Sequence, residues 1–374
     1  MTAFAQPTPT LNPSPKDGGM AELAQAFWEQ ALRWQTEGAK HVSESFEIEL
    51  GQTPRDLIWT LNKAALYRYR PSRPASARHA TPILLVYALI NRPTIFDLRP
   101  GQSFVEFLRD AGFDVYLLDW GIPGPEDNDI SLWEYTFEYL PRAVRKVLGA
   151  SGAGKINMLG YCQGGLMALA YAAMFSEAPL RNLVVLTTPV DFSKTENDIF
   201  AVWLDKRYFD VDKLMDTLKC MPEGLILHGS KMLKPVENYL TTYKVLNDKM
   251  GSADAVQAWQ ALNRWTHEGQ DLPGQVFRDW VKDLIWDNKL ARGEVTWKGR
   301  AASLKNITVP VLNVLAEKDH IVPFANAASL KDLVGSADVR TEVIAGGHVG
   351  IMGGRAAKTR LWPAIVKWLE ERSL

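Results

Sequence analysis

Cysteine is scarce in this chain: Cys162 and Cys220 are the only two among 374 residues. Two cysteines cannot build a disulfide framework, and they fit a reducing compartment. An excess of either charge is also lacking. A net charge of −1 argues against a broad basic surface, so no nucleic-acid partner is expected. Long hydrophobic runs are missing too. A run such as ILLVYALI is far shorter than the ~20 apolar residues of a membrane span, so no transmembrane segment is expected. The stretch MTAFAQPTPTLNPSPKDGG has neither the basic n-region nor the apolar h-region of a signal peptide. The protein is therefore expected to be cytoplasmic. Four prolines within residues 1–19 predict a disordered, extended tail.

What is present is an alternation. From residue 81, strand-like runs (TPILLVYAL, FDVYLLDW, KINMLGY, LRNLVVLTTPV) alternate with helical stretches (QSFVEFLRDAG, LWEYTFEYLPRAVRKVLGA, QGGLMALAYAAMF). Continuously apolar strands imply a sheet buried on both faces, and strand–helix alternation implies parallel βαβ units. The pattern breaks after Asp191. Residues 191–300 read as mostly helical and hold six of the 13 tryptophans. Strand signals return in NITVPVLNVLAEKD and DVRTEVIAGGH, and WPAIVKWLEER closes the chain as an amphipathic helix. The expected fold class is α/β: a mostly parallel open sheet with a helical cap insertion. The expected boundaries are a tail at 1–19, a helical segment at 20–50, a catalytic core at 51–190 plus 301–374, and a cap or lid at 191–300. The helical segment carries Phe27, Trp28 and Trp34, which suit either packing on the body or a partner contact.

Gly149-Ala150-Ser151-Gly152-Ala153-Gly154-Lys155 matches seven positions of a phosphate-binding loop. The eighth is Ile156, without a hydroxyl, and here a helix precedes and a strand follows, the reverse of that motif. The glycines read better as the end of a helix.

Gly160-Tyr161-Cys162-Gln163-Gly164 has the spacing of a nucleophile elbow with a thiol in place of the usual hydroxyl. The apex of a strand–turn–helix places a nucleophile where the helix dipole and free N–H groups favour its anion. The Gln163 N–H is expected as one oxyanion donor. The second is expected from Leu89 or Ile90, after the strand ILLVYAL. Asp319 and His348 each follow a late strand, in the order nucleophile, acid, base, which makes His348 the candidate base, Asp319 its orienting acid, and the expected sheet that of an α/β-hydrolase fold. His320, adjacent to Asp319, is a possible secondary polar group or a structural one. Cys220, in DTLKCMPEG, reads as structural, and Asp119 and Asp191 read as loop-stabilising. No metal site is expected.

GYCQGG, AEKDHIVP, AGGHVGIMGGR and INRPTIFDLRPG, in that set of separated positions, resemble polyhydroxyalkanoate synthases from about residue 50 to the C-terminus. The resemblance implies polymerisation of (R)-3-hydroxyacyl-CoA, 3-hydroxybutyryl-CoA in particular, into a storage polyester. It implies Cys162 as the acylated nucleophile, with Asp319 and His348. Coenzyme A is then a leaving group, and no cofactor is expected. The short N-terminal region looks like the class III form, whose catalytic subunit works with a second, largely helical, non-catalytic subunit; class IV uses a different small partner. A homodimer or hetero-oligomer at cytoplasmic polyester granules is the implied setting. The triad alone does not separate transfer from hydrolysis, so a cytosolic thiol hydrolase of small esters, lactones or thioesters stays open. So does a non-catalytic granule-coat protein, against which the intact triad argues.

Overall fold

The computed structural model describes residues 20–194, 198–354 and 356–372. The proline-rich tail lies outside the described residues, as does the side chain of Phe27.

Eight strands form the main sheet: β1 (Arg55–Leu61), β2 (Ala64–Tyr69), β3 (Ile83–Val86), β4 (Val115–Asp119), β5 (Ile156–Tyr161), β6 (Leu180–Leu186), β7 (Val311–Ala316) and β8 (Val339–Ile344). Their spatial order is β1-β2-β4-β3-β5-β6-β7-β8. The β1–β2 and β2–β4 pairs are antiparallel and all the others parallel. Every residue of β3, β4, β5 and β7 is buried, whereas the edge strands β1 and β8 are largely exposed. The uniformly apolar strands thus lie at the centre, covered on both faces.

The hairpin β1–β2 is an element that the strand–helix alternation did not anticipate. Leu61 pairs with Ala64, which leaves a two-residue turn at Asn62-Lys63. Asn62 takes φ 49°, the left-handed conformation that asparagine tolerates in such turns. The mixed sequence of β1 hides the strand, because one side of an edge strand faces water.

Three helices place the site. Helix α1 (Phe104–Ala111) starts on Ser103, whose side chain accepts the Glu106 N–H. Helix α2 (Leu140–Ser151) ends on Gly152 in the left-handed conformation, φ 71°, with the Gly152 N–H donating to Leu148. The phosphate-loop lookalike is therefore a helix terminus, as its context predicts. Helix α3 (Gln163–Met174) is buried along its whole length. Its run of Gly, Ala, Leu and Met is apolar all round, the pattern of a helix enclosed by the core.

The chain forms two compact units. The larger comprises Leu50–Leu233 and Trp265–Leu374; the smaller comprises residues up to Glu49 and Lys234–Arg264. This differs from the sequence-based boundaries: part of the expected 191–300 insertion belongs with the amino-terminal helices, and the rest belongs with the sheet. Within the smaller unit, Leu246, Val256 and Trp259 form a core against which Trp34, Val42 and Tyr243 pack. Trp34 is thus a packing residue, while Trp28 is 70% exposed. Among the described residues no helix is long and apolar enough to cross a membrane.

Candidate active site

Cys162 sits between β5 and α3 with φ 57° and ψ −126°. A non-glycine residue with positive φ is strained, and such strain concentrates at functional positions. The turn is held by the Cys162 N–H donating to Leu186 O at 2.9 Å and by the Gly165 N–H donating to Cys162 O at 3.0 Å. Its glycines are obligatory for close approach. A Cβ on Gly160 would lie 2.4 Å from Gly165 Cα, and one on Gly164 would lie 2.4 Å from Val86 O. Helix geometry leaves the N–H groups of Gln163 and Gly164 outside the intrahelical ladder, beside the thiol. Cys162 itself is only 8% exposed.

Asp319 and His348 arrive from the loops after β7 and β8. The two loops are joined by backbone bonds, Glu317 N–H to Ile344 O and Lys318 N–H to Gly346 O, each 2.9 Å. One Asp319 oxygen accepts the N–H groups of Ile321 and Val322 at 2.9 and 2.8 Å. The other accepts from His348 Nδ1 at 2.8 Å. An ionised carboxylate can only accept, so Nδ1 carries the proton and Nε2 is left for other chemistry. Burial opposes a charged His348, but the Asp319 carboxylate, the neighbouring Cys162 and hydrogen bonds to both push its pKa up to about 10. The structure thus brings Cys162, His348 and Asp319 together, in chain order nucleophile, acid, base.

The oxyanion side departs from expectation at one residue. The Leu89 N–H is committed to Gln163 Oε1 at 2.8 Å, so Leu89 does not offer it to a substrate. Of the expected pair, Ile90 remains, and no acceptor for its N–H is present among the described residues. His320 is half-buried, with Nδ1 4.0 Å from the position a Cβ on Gly347 would take, beside the loop that carries His348. Asp119 accepts the Gly121 N–H and the Arg92 guanidinium at 3.0 and 2.7 Å. Asp191 accepts from Ser193 and from the Asn288 side chain. Both aspartates therefore tie loops, as their positions predict. Cys220 approaches Asp271 at 3.6 Å in a two-residue strand, a structural setting. Among the described residues no group of three or more His, Cys, Asp or Glu could hold a metal ion.

Two residues that touch the site, and a strained residue after β6, went unrecognised in the sequence. The Tyr161 hydroxyl donates to His348 O at 2.8 Å, and its ring stacks on the imidazole with centroids 5.6 Å apart. Thr187, directly after β6, is buried with φ 41°, a strained conformation for a β-branched residue. Gln270 donates from Nε2 to Leu89 O at 2.7 Å. Tyr161 could have been suspected from its place inside the elbow; Thr187 and Gln270 carry no local signal.

The fold and site define a member of the α/β-hydrolase class. A family model described as "alpha/beta hydrolase fold" matches residues 81–354. The structure of a thermostable carboxyl esterase from Bacillus coagulans superposes with TM-score 0.54 at 15% identity, covering 86% of this chain and 99% of that one, which supports the fold alone. Within that class the chain belongs to the poly(3-hydroxyalkanoate) polymerase family, and so to the acyltransferases. It is 36% identical to the poly(3-hydroxyalkanoate) polymerase subunit PhaC of Allochromatium vinosum, covering 90% of this chain and 94% of that protein. It is 35% identical to the subunit of the same name from Haloferax mediterranei, covering 94% and 71%.

Proposed function

We propose that the chain polymerises (R)-3-hydroxyacyl-CoA, 3-hydroxybutyryl-CoA foremost, through an acyl thioester on Cys162. The observation that carries the proposal is a cysteine at the elbow apex, within hydrogen-bonding reach of a histidine oriented by a buried aspartate. His348 takes the Cys162 proton, and Asp319 on its Nδ1 side stabilises the imidazolium that forms. The thiolate attacks the CoA thioester, and the N–H groups of Gln163 and Ile90 receive the developing oxyanion. The imidazolium then gives its proton to the departing CoA sulfur. Neutral His348 next accepts the proton of a substrate 3-hydroxyl, whose oxygen attacks a thioester; the oxoester link forms as the C–S bond breaks, and the expelled thiolate takes the proton back from His348. Sulfur suits this cycle because exchange of one thioester for another is nearly thermoneutral. The acyl group stays activated until the hydroxyl arrives, whereas an ester on serine would discard that activation.

Water is the competing nucleophile, and a polymerase must exclude it from the acyl thioester. The relatives named as "subunit" support a multi-subunit enzyme. We assign the class III arrangement with a second, helical, non-catalytic subunit, working at cytoplasmic polyester granules.

The test is to incubate the purified chain, with and without a candidate partner subunit, with (R)-3-hydroxybutyryl-CoA. Free thiol release and insoluble polyester are both followed. Release of both is expected. Thiol with only soluble hydroxy acid would instead make the chain a thioesterase.

A further inference from the structure

Residues 89–92 form the loop that supplies the second oxyanion donor, and this loop is gripped on both sides. From the core, Gln163 Oε1 accepts the Leu89 N–H at 2.8 Å. From the stretch 265–270, Gln270 Nε2 donates to Leu89 O at 2.7 Å, and the Gln270 N–H donates to Ile90 O at 3.4 Å. Trp265 Nε1 donates to Arg92 O at 2.8 Å, and Asn91 forms a bridge with Gly269. Both glutamines are buried, Gln163 at 3% and Gln270 at 5% exposure. A buried amide with satisfied partners is held in one rotamer, and an unmade bond there is costly.

We propose that Gln163 and Gln270 form a clamp that positions the oxyanion loop, and that Gln163 couples the two donors of the hole. The main-chain N–H of Gln163 is one donor. Its side chain fixes the peptide that immediately precedes the other, the N–H of Ile90. The two peptide planes that meet at the Leu89 Cα are thus both held: Gln163 fixes Ala88–Leu89 through its N–H, and Gln270 fixes Leu89–Ile90 through its carbonyl, and with it the direction of the Ile90 N–H. A donor in such a hole works only if it is aimed at the place where charge develops. The two glutamines are positioning residues: Gln163 acts from the elbow and Gln270 from the 265–270 stretch of the same compact unit. The inference rests on the active-site reading above but not on the identity of the acyl substrate.

The test therefore uses two probes on the full-length chain. p-Nitrophenyl acetate acylates a thiol through a tetrahedral oxyanion. Iodoacetamide alkylates it by direct displacement and forms no oxyanion. Gln163→Met keeps the side-chain length and removes the acceptor; Gln270→Met removes the opposing donor. Acylation of Cys162, read by intact mass, is expected to slow about 10-fold or more in each of Gln163→Met and Gln270→Met, because each loosens the aim of a donor without removing it. Alkylation is expected to stay within about twofold of wild type, since direct displacement makes no use of the oxyanion donors. Equal loss with both probes would overturn the clamp, because it would indicate general damage to the site. So would unchanged acylation in both variants, and so would a wild-type Cys162 that alkylates but does not acylate. (R)-3-hydroxybutyryl-CoA run in parallel separates this outcome from the polymerase reading: a clamp that passes while CoA is not released would leave the positioning intact and reject only the proposed substrate.

Discussion

The elbow and the rest of the site are built by opposite means. Residues 156–174 make a strand, a strained turn and a buried helix from one continuous stretch, and the glycines that permit the turn stand two positions on either side of the cysteine they serve. The candidate acid–base pair and oxyanion loop are not built from one stretch. His348 finds Asp319 across 29 residues, Leu89 finds Gln163 across 74, and Gln270 finds Leu89 across 181. A nucleophile can be encoded locally because its exposure is a matter of backbone conformation. Its partners must be delivered, because proton transfer and charge stabilisation require groups that approach from other directions.

The sharpest break on the local side is Cys162→Ala. Covalent acylation should fall on the order of 10⁴-fold or more, measured by mass spectrometry after exposure to acyl-CoA, while Cys220→Ser should keep wild-type labelling. Equal loss in both would remove Cys162 from its role. Next in size is Gly160→Ala. The added methyl would meet the Gly165 backbone at 2.4 Å, with an expected cost of roughly 3 kcal/mol in urea unfolding. Little change in midpoint would show that the turn yields more easily than its packing implies.

On the delivered side, the effect is pH-dependent. His348 has a folded pKa of about 10 against an ordinary 6.5. A group raised in the folded state contributes stability that is complete below the unfolded value and fades as pH climbs through the folded one. The stability advantage of wild type over Asp319→Asn should therefore be largest near pH 6, on the order of 2 kcal/mol, and shrink toward pH 10. A pH-independent difference in urea midpoints would count against the coupling. The smallest break is Tyr161→Phe, which strips the hydroxyl from His348 O and should cost about 1 kcal/mol. Its measurable sign is a modest fall in melting temperature with thiol alkylation retained.

Much of this site was legible in the chain alone. The elbow spacing singled out Cys162, and the residues that follow two late strands singled out Asp319 and His348. All three rest on the same rule: in a parallel sheet the strand ends share one edge, so position after a strand predicts location. The rule could not choose between Leu89 and Ile90. Adjacent peptide groups in one loop look alike until a partner claims one of them, and the partner is the side chain of Gln163. Nor could it reveal the β1–β2 hairpin, whose exposed edge mixes polar and apolar residues, or that part of the helical insertion belongs in one compact unit with the amino-terminal helices.

By itself the sequence determined the central elements and the candidate residues: uniformly apolar strands, a glycine-framed thiol, and an acid and a base placed after late strands in the order that an α/β-hydrolase sheet requires. Tertiary structure alone decided the direction of each group. It determined which oxygen of Asp319 faces the imidazole, which N–H after β3 stays open, and which distant glutamine closes the loop. The physical reason is that strand and turn preferences act over a few residues. Hydrogen bonds between buried groups are settled only when the whole core has packed and every donor competes for the acceptors within reach.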